Sequence, residues 1–143
     1  MKWILHFDGG IHPNPGGVPR FGFHLDSEDG DPIAHGSGRV ADCEECERTN
    51  NSAELFALLF ALRAALAAEF ETPDEILVRG DSKLVIQAAS GRWQLKAPHL
   101  RRLTALILAE VDAIRRHGVR VSFKWVPRKK NAKADALAET KSR

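Results

Sequence analysis

The hydrophobic period of this chain changes near residue 50, and that change narrows its fold class more than any other feature. Before it, apolar residues alternate. Residues 2–7 (KWILHF) are β-prone and run into DGGIHPNPGG, a loop dense in glycine, proline and asparagine. Residues 20–26 (RFGFHLD) put Phe21, Phe23 and Leu25 on one face, as a half-buried strand does. The Asp-Gly pair in SEDGD then predicts a hairpin into a third strand from Pro32 to Val40.

After residue 50 the spacing becomes helical. The stretch AELFALLFALRAALAAEF is a strong helix former with apolar residues nearly all round. Asn51 or Ser52 is expected to cap it, leaving Glu54 in the first turn, where a carboxylate suits the positive helix end. Pro73 marks a break. EILVRG reads as a short buried strand, and a helix follows from Ser82, just after Asp81. Leu100, Leu103, Ile107, Val111 and Ile114 keep helical spacing through a further helix that ends near Gly118. Val119 to Val126 alternates as a strand, and a last helix starts close to Asn131. The order β-β-β-α-β-α-α-β-α predicts an α/β fold. Its five-stranded mixed sheet would be an antiparallel meander followed by parallel strands, flanked by helices.

No internal repeat, low-complexity segment or long linker divides the 143 residues, so a single domain over residues 1–143 is expected. Composition (43% hydrophobic, 28% charged) is that of a soluble globular protein. The longest apolar stretch, Leu55 to Ala68, is cut by Arg63 and falls short of the about 18 residues a membrane span needs. His6 and Asp8 come too early for a signal peptide, so a cytoplasmic location is expected. Cys43 and Cys46, inside DCEECE, make no disulfide framework. Without two further ligands nearby they make no structural zinc site, and the expectation is a solvated loop that carries two thiols.

Net charge is only +2, but its sign is unevenly placed. Residues 26–54 carry nine acids against Arg39 and Arg48, and residues 116–143 carry nine bases against Asp135 and Glu139. Such asymmetry suits an edge that faces a polyanion. The acids then narrow the chemistry. Asp8 is expected to end the first strand, Asp81 the fourth, Glu54 to open the first long helix and Asp135 to lie early in the last. Groups at the carboxyl ends of neighbouring strands converge in sheets of this type. Four acids gathered there would repel one another strongly unless cations neutralised them, and oxygen-only ligands favour Mg2+ or Mn2+. Two such ions about 3.5–4 Å apart are a known device for phosphoryl displacement.

Five segments in order extend that reading: FDGG-x-x-PNPGG (Phe7 to Gly17), TNN-x-AEL (Thr49 to Leu55), GDS-x-LVI (Gly80 to Ile86), WVPR (Trp125 to Arg128) and NAKADALA (Asn131 to Ala138). Together they resemble the type 1 ribonucleases H over nearly the whole chain. The resemblance implies a ribonuclease H-like fold and an endonuclease that hydrolyses the RNA strand of RNA/DNA hybrids. It implies two-metal-ion catalysis that leaves 5′-phosphate and 3′-hydroxyl ends. Asp8, Glu54, Asp81 and Asp135 match the family's four metal-binding acids, so two Mg2+ (or Mn2+) ions per site are expected. Asn14, Asn50 and Asn51 match residues along the minor groove, and Thr49 matches one on a DNA phosphate.

Three departures qualify the match. No histidine lies between Trp125 and Asp135, and the short basic loop PRKKNAKA resembles the archaeal-like branch. Arg128 or Lys129 is expected to substitute electrostatically, though neither serves as a base at neutral pH. His99 and His117 are expected at the surface. The strongly basic protrusion of some members is replaced by SGRWQLKAPHLRR, in which Trp93 is expected to pack between helices. Lys83 stands where a glutamine is common, which suits a phosphate contact. The expected partner is an RNA/DNA hybrid duplex, with no membrane and no obligate protein partner, for a monomer. The TNN and PNPGG loops disfavour a different nuclease of the same fold, and four intact acids disfavour a non-catalytic hybrid-binding module.

Overall fold

A computed structural model describes residues 1–11, 17–40, 43–44 and 47–140. Asn14 and Cys46 lie outside those residues. The strands are β1 (Lys2–Gly10), β2 (Arg20–Ser27), β3 (Pro32–Arg39), β4 (Glu75–Gly80) and β5 (Arg120–Trp125). The helices are α1 (Asn50–Ala67), α2 (Lys83–Ala89), α3 (Pro98–Arg115) and α4 (Ala132–Thr140), the last entered through a 3-10 turn, Arg128–Asn131. The sheet order is β3-β2-β1-β4-β5, antiparallel through the first three strands and parallel from β1 through β4 to β5. The expected element order and mixed sheet are both present.

One face of the sheet is apolar because alternate residues of each strand point the same way. Trp3, Leu5 and Phe7 of β1, Phe23 and Leu25 of β2, Ile76 and Val78 of β4 and Val121 of β5 are all buried on it. Helix α1 covers this face, and α3 packs beside α1. That enclosure explains the sequence of α1, which buries residues on every side from Ser52 to Ala65. By contrast α3 keeps a single buried stripe, Leu103, Ile107, Val111 and Ile114.

Four details differ from the sequence reading. Strand β1 runs to Gly10 because β2 pairs with it up to Gly10–Arg20, so Asp8 lies inside a strand opposite Gly22. Helix α1 begins at Asn50, not after Ser52. Its cap is Thr49, whose extended backbone lets its hydroxyl accept the Ser52 N–H at 3.2 Å. Glu54 therefore sits in the second turn. Strand β2 is buried on both faces through Gly22, Phe23, His24 and Leu25, because α4 lies across the side opposite α1. Cys43 is half-buried against the core rather than solvated.

Thr49→Ala is expected to cost about 1 kcal/mol, the usual worth of an N-cap side chain, read as a lower denaturant midpoint with an unchanged slope.

Candidate active site

Two close approaches build the site. A Cβ on Gly9 would stand 2.2 Å from the Ala53 carbonyl oxygen, so β1 and α1 touch backbone to backbone only because that residue is glycine. This contact lets the Gly9 N–H donate to Glu54 Oε1 at 2.8 Å and sets Glu54 at the end of the sheet. On the other face, a Cβ on Gly22 would stand 2.5 Å from the Ala138 nitrogen and 2.6 Å from the Ala134 carbonyl oxygen. Helix α4 thus lies directly on β2, and Gly22 is the partner of Asp8 across the ladder. Asp135 on α4 is thereby brought close enough to Asp8 to help raise its carboxyl.

Asp81 follows the last residue of β4, which lies beside β1. One carboxylate oxygen from each of Asp8, Glu54 and Asp81 lies within 4.8 Å of the other two. Asp8 and Glu54 are buried, Asp81 half-buried. Burial first, and then the Glu54 charge, push the Asp8 carboxyl far above the usual carboxylate range. Burial also raises Glu54, against the opposing hydrogen bonds from Asp8 and Gly9. Glu54 Oε2 is buried without a hydrogen-bond partner. An all-oxygen set with a free, buried carboxylate oxygen fits a hard divalent cation such as Mg2+ or Mn2+.

The surroundings orient the acids. Asn131 is 1% exposed, and its amide donates to the Phe7 carbonyl at 2.8 Å and to Asp81 Oδ2 at 3.4 Å. It ties the end of β4 to β1. The exposed Arg128 guanidinium lies 3.4 Å from Asp135 Oδ1, and the charges of Asp135 and Asp8 raise its pKa further. Lys83, first residue of α2, places its ammonium 4.8 Å from the centre of the Trp125 ring, whose Nε1 donates to the Asp81 carbonyl at 3.0 Å. Lys83 is thus held over a ring that is itself tied to the Asp81 backbone.

Residues 33–141 match the family described as Reverse transcriptase-like. The ribonuclease HI of Halobacterium salinarum is 37% identical over 138 residues, covering 93% of this chain and 60% of that protein. The crystal structure of RNase H1 from H. salinarum superposes with a TM-score of 0.80 at 36% identity, over 97% of this chain and 96% of that one. The chain belongs to the type 1 ribonuclease H family. A second ribonuclease H relative, the Mycobacterium tuberculosis bifunctional protein Rv2228c, is 32% identical over 96% of this chain and 35% of its own length. The N-terminal RNase H domain of that protein superposes with a TM-score of 0.81, over 97% of this chain and 91% of the solved one. LC11-RNase H1, solved in complex with an RNA/DNA hybrid, gives 0.76 at 29% identity, over 97% and 95%. The chain spans about a third (35%) of the mycobacterial relatives and 60% of the halobacterial one.

Of the ten site residues expected from the sequence, the structure brings Asp8, Glu54, Asp81 and Asp135 to one end of the sheet, with Arg128 against Asp135 and Lys83 over Trp125. Thr49, Asn50 and Asn51 form the cap and first turn of α1, the helix that carries Glu54, and both asparagines are exposed. Asn14 is the one outside the described residues. Trp93 is 51% exposed rather than packed between helices. His117 is exposed as expected, and His99 is half-buried. In the sequence Asn131 marks only the start of the last helix and of the NAKADALA segment. Nothing local marks it as a buried amide bonded across the fold.

Proposed function

We propose that residues 1–143 form one ribonuclease H domain, an endonuclease that hydrolyses the RNA strand of RNA/DNA hybrids. Its products carry 5′-phosphate and 3′-hydroxyl ends. The observation that carries this reading is the convergence of Asp8, Glu54 and Asp81 within 4.8 Å, with Asp135 against Asp8. The hybrid bound by LC11-RNase H1 supports the substrate class.

Asp8, Glu54, Asp81 and Asp135 would hold two divalent ions, Mg2+ or Mn2+. These supply Lewis-acid charge to the attacking and departing oxygens of the phosphodiester. Glu54 keeps one carboxylate oxygen fixed by Gly9 and the other free for ligation. Asn131 fixes the Asp81 carboxylate, so little reorganisation is needed as charge develops. Arg128 sets a permanent positive charge beside Asp135 and draws the phosphate backbone in, but it takes no proton at neutral pH. With no histidine between Trp125 and Asp135, the proton released by the attacking water leaves to solvent or to a cluster carboxylate.

Thr49, Asn50, Asn51 and Asn14 are assigned to the hybrid. The two exposed amides of α1 suit the 2′-hydroxyls of the wide minor groove, the feature that separates RNA from DNA at a given sugar. Thr49 is assigned to a DNA phosphate, and Lys83 to a phosphate beside the cluster. All four acids come from one chain, so a monomer suffices. The test is a panel of labelled duplexes with end analysis. Cutting confined to the RNA strand of the hybrid, with products that carry 5′-phosphates, is expected. Equal cutting of DNA duplex, or 3′-phosphate ends, would refute the assignment.

A further inference from the structure

The segment that enters α1 is tied to α3 through a buried carboxylate. Glu47 stands two residues before the Thr49 cap and is 3% exposed. Its Oε1 accepts the Glu44 N–H at 3.0 Å, and its Oε2 receives the guanidinium of Arg102. Arg102 lies in the second turn of α3, the helix packed beside α1, and its own side chain is 56% exposed. A carboxylate this deep is costly unless it is paired, so the ion pair holds the segment where it is. Among the described residues between Val40 and Thr49 there is no strand and no α-helix. Sheet register therefore does not hold the chain that leads into Thr49, whereas α1 itself is held on β1 from Ala53 onward.

We propose that the Glu47–Arg102 pair is a positioning device for the Thr49–Asn51 segment, which fixes the hybrid-reading residues relative to the helical layer. The proposal rests on the ribonuclease H reading given above. The competing role for Arg102 is a direct contact with a backbone phosphate, with Glu47 incidental. The two roles predict opposite behaviour.

Arg102→Gln strands the buried carboxylate. It is expected to raise KM for a hybrid about tenfold with kcat near wild type, the effect of misplaced binding groups. Glu47→Gln is isosteric and strands no charge, so a smaller rise is expected. The double variant is expected to recover most of the Arg102→Gln loss, with the salt dependence of binding unchanged. A direct phosphate contact predicts no rise in Glu47→Gln and no recovery in the double variant. It also predicts a salt slope lower by about one. Any of these results overturns the proposal.

Amide exchange at Ser52, whose N–H is held by Thr49, supplies a readout independent of cleavage. Faster exchange in Arg102→Gln, restored in the double variant, is expected, and unchanged protection overturns the proposal. Should the wild-type protein fail to cut hybrid, the ribonuclease reading falls, while exchange still decides whether the pair positions the segment.

Discussion

Asp81→Asn is expected to lower hybrid cleavage by about a thousandfold or more while leaving the fold intact, and to leave the ion-free melting temperature unchanged or higher. The two halves have one cause. Asp81 follows β4, and its side chain meets Asn131 and the carboxylates of Asp8 and Glu54 rather than the apolar core. Asparagine keeps its shape and removes one negative charge from a group in which every member repels the others. Stability without ions therefore holds or rises, whereas ion binding loses a charged ligand. Activity assays and thermal melts on the same preparation check both. A variant that cuts at the wild-type rate would show that Asp81 is not part of the machinery. A variant that is inactive and also unfolded would show that Asp81 supports the fold.

The second large effect is stabilisation by divalent ions, and it grows with pH. Asp8 and Glu54 have carboxyls raised above their unfolded values of about 4 by burial and, for Asp8, by the neighbouring Glu54 charge. The folded chain then binds more protons than the unfolded one, so this contribution to stability falls as pH rises above about 4. A histidine pair works the other way. His6 stacks on His24 at 4.6 Å, and burial, His24 and Arg79 push the His6 imidazole down to about 4. Its contribution is complete above the unfolded value of about 6.5 and is lost as pH falls toward 4.

The two trends oppose each other below pH 6.5, which makes the window above it the informative one. There the ion-free melting temperature is expected to fall as pH rises. Mg2+ or Mn2+ at a hundred times its dissociation constant is expected to raise it by roughly 10 °C. Coincident melts with ion and with chelator at pH 8 would remove the cation from the account.

The order of elements was legible because it rests on local period: alternation through Phe21, Phe23 and Leu25, then helical spacing from Leu55 onward. The four acids were legible as candidates because each lies inside a distinctive segment, although Asp8 falls within β1 and Glu54 in the second turn of α1. What local pattern could not show is how surfaces approach. Gly9 reads as a loop glycine and Gly22 as an unremarkable strand glycine, yet they set the distances from β1 to α1 and from β2 to α4 that bring Glu54 and Asp135 to Asp8. Strand β2 read as half-buried because its pattern records one apolar face, and α4 covers the other face at a glycine. The cap moved from Asn51 or Ser52 to Thr49 because each of these residue types can cap, and backbone geometry selects among them. Nothing in the local pattern pairs Glu47 with Arg102, 55 residues away.

Cleavage of a strand-labelled RNA/DNA hybrid by the wild-type chain, with Mg2+, Mn2+ or chelator, tests the central claim most directly. The account predicts cutting of the RNA strand with an ion present and none with chelator. Cutting that persists in chelator, or a folded protein that binds hybrid yet cuts with neither ion, would contradict it.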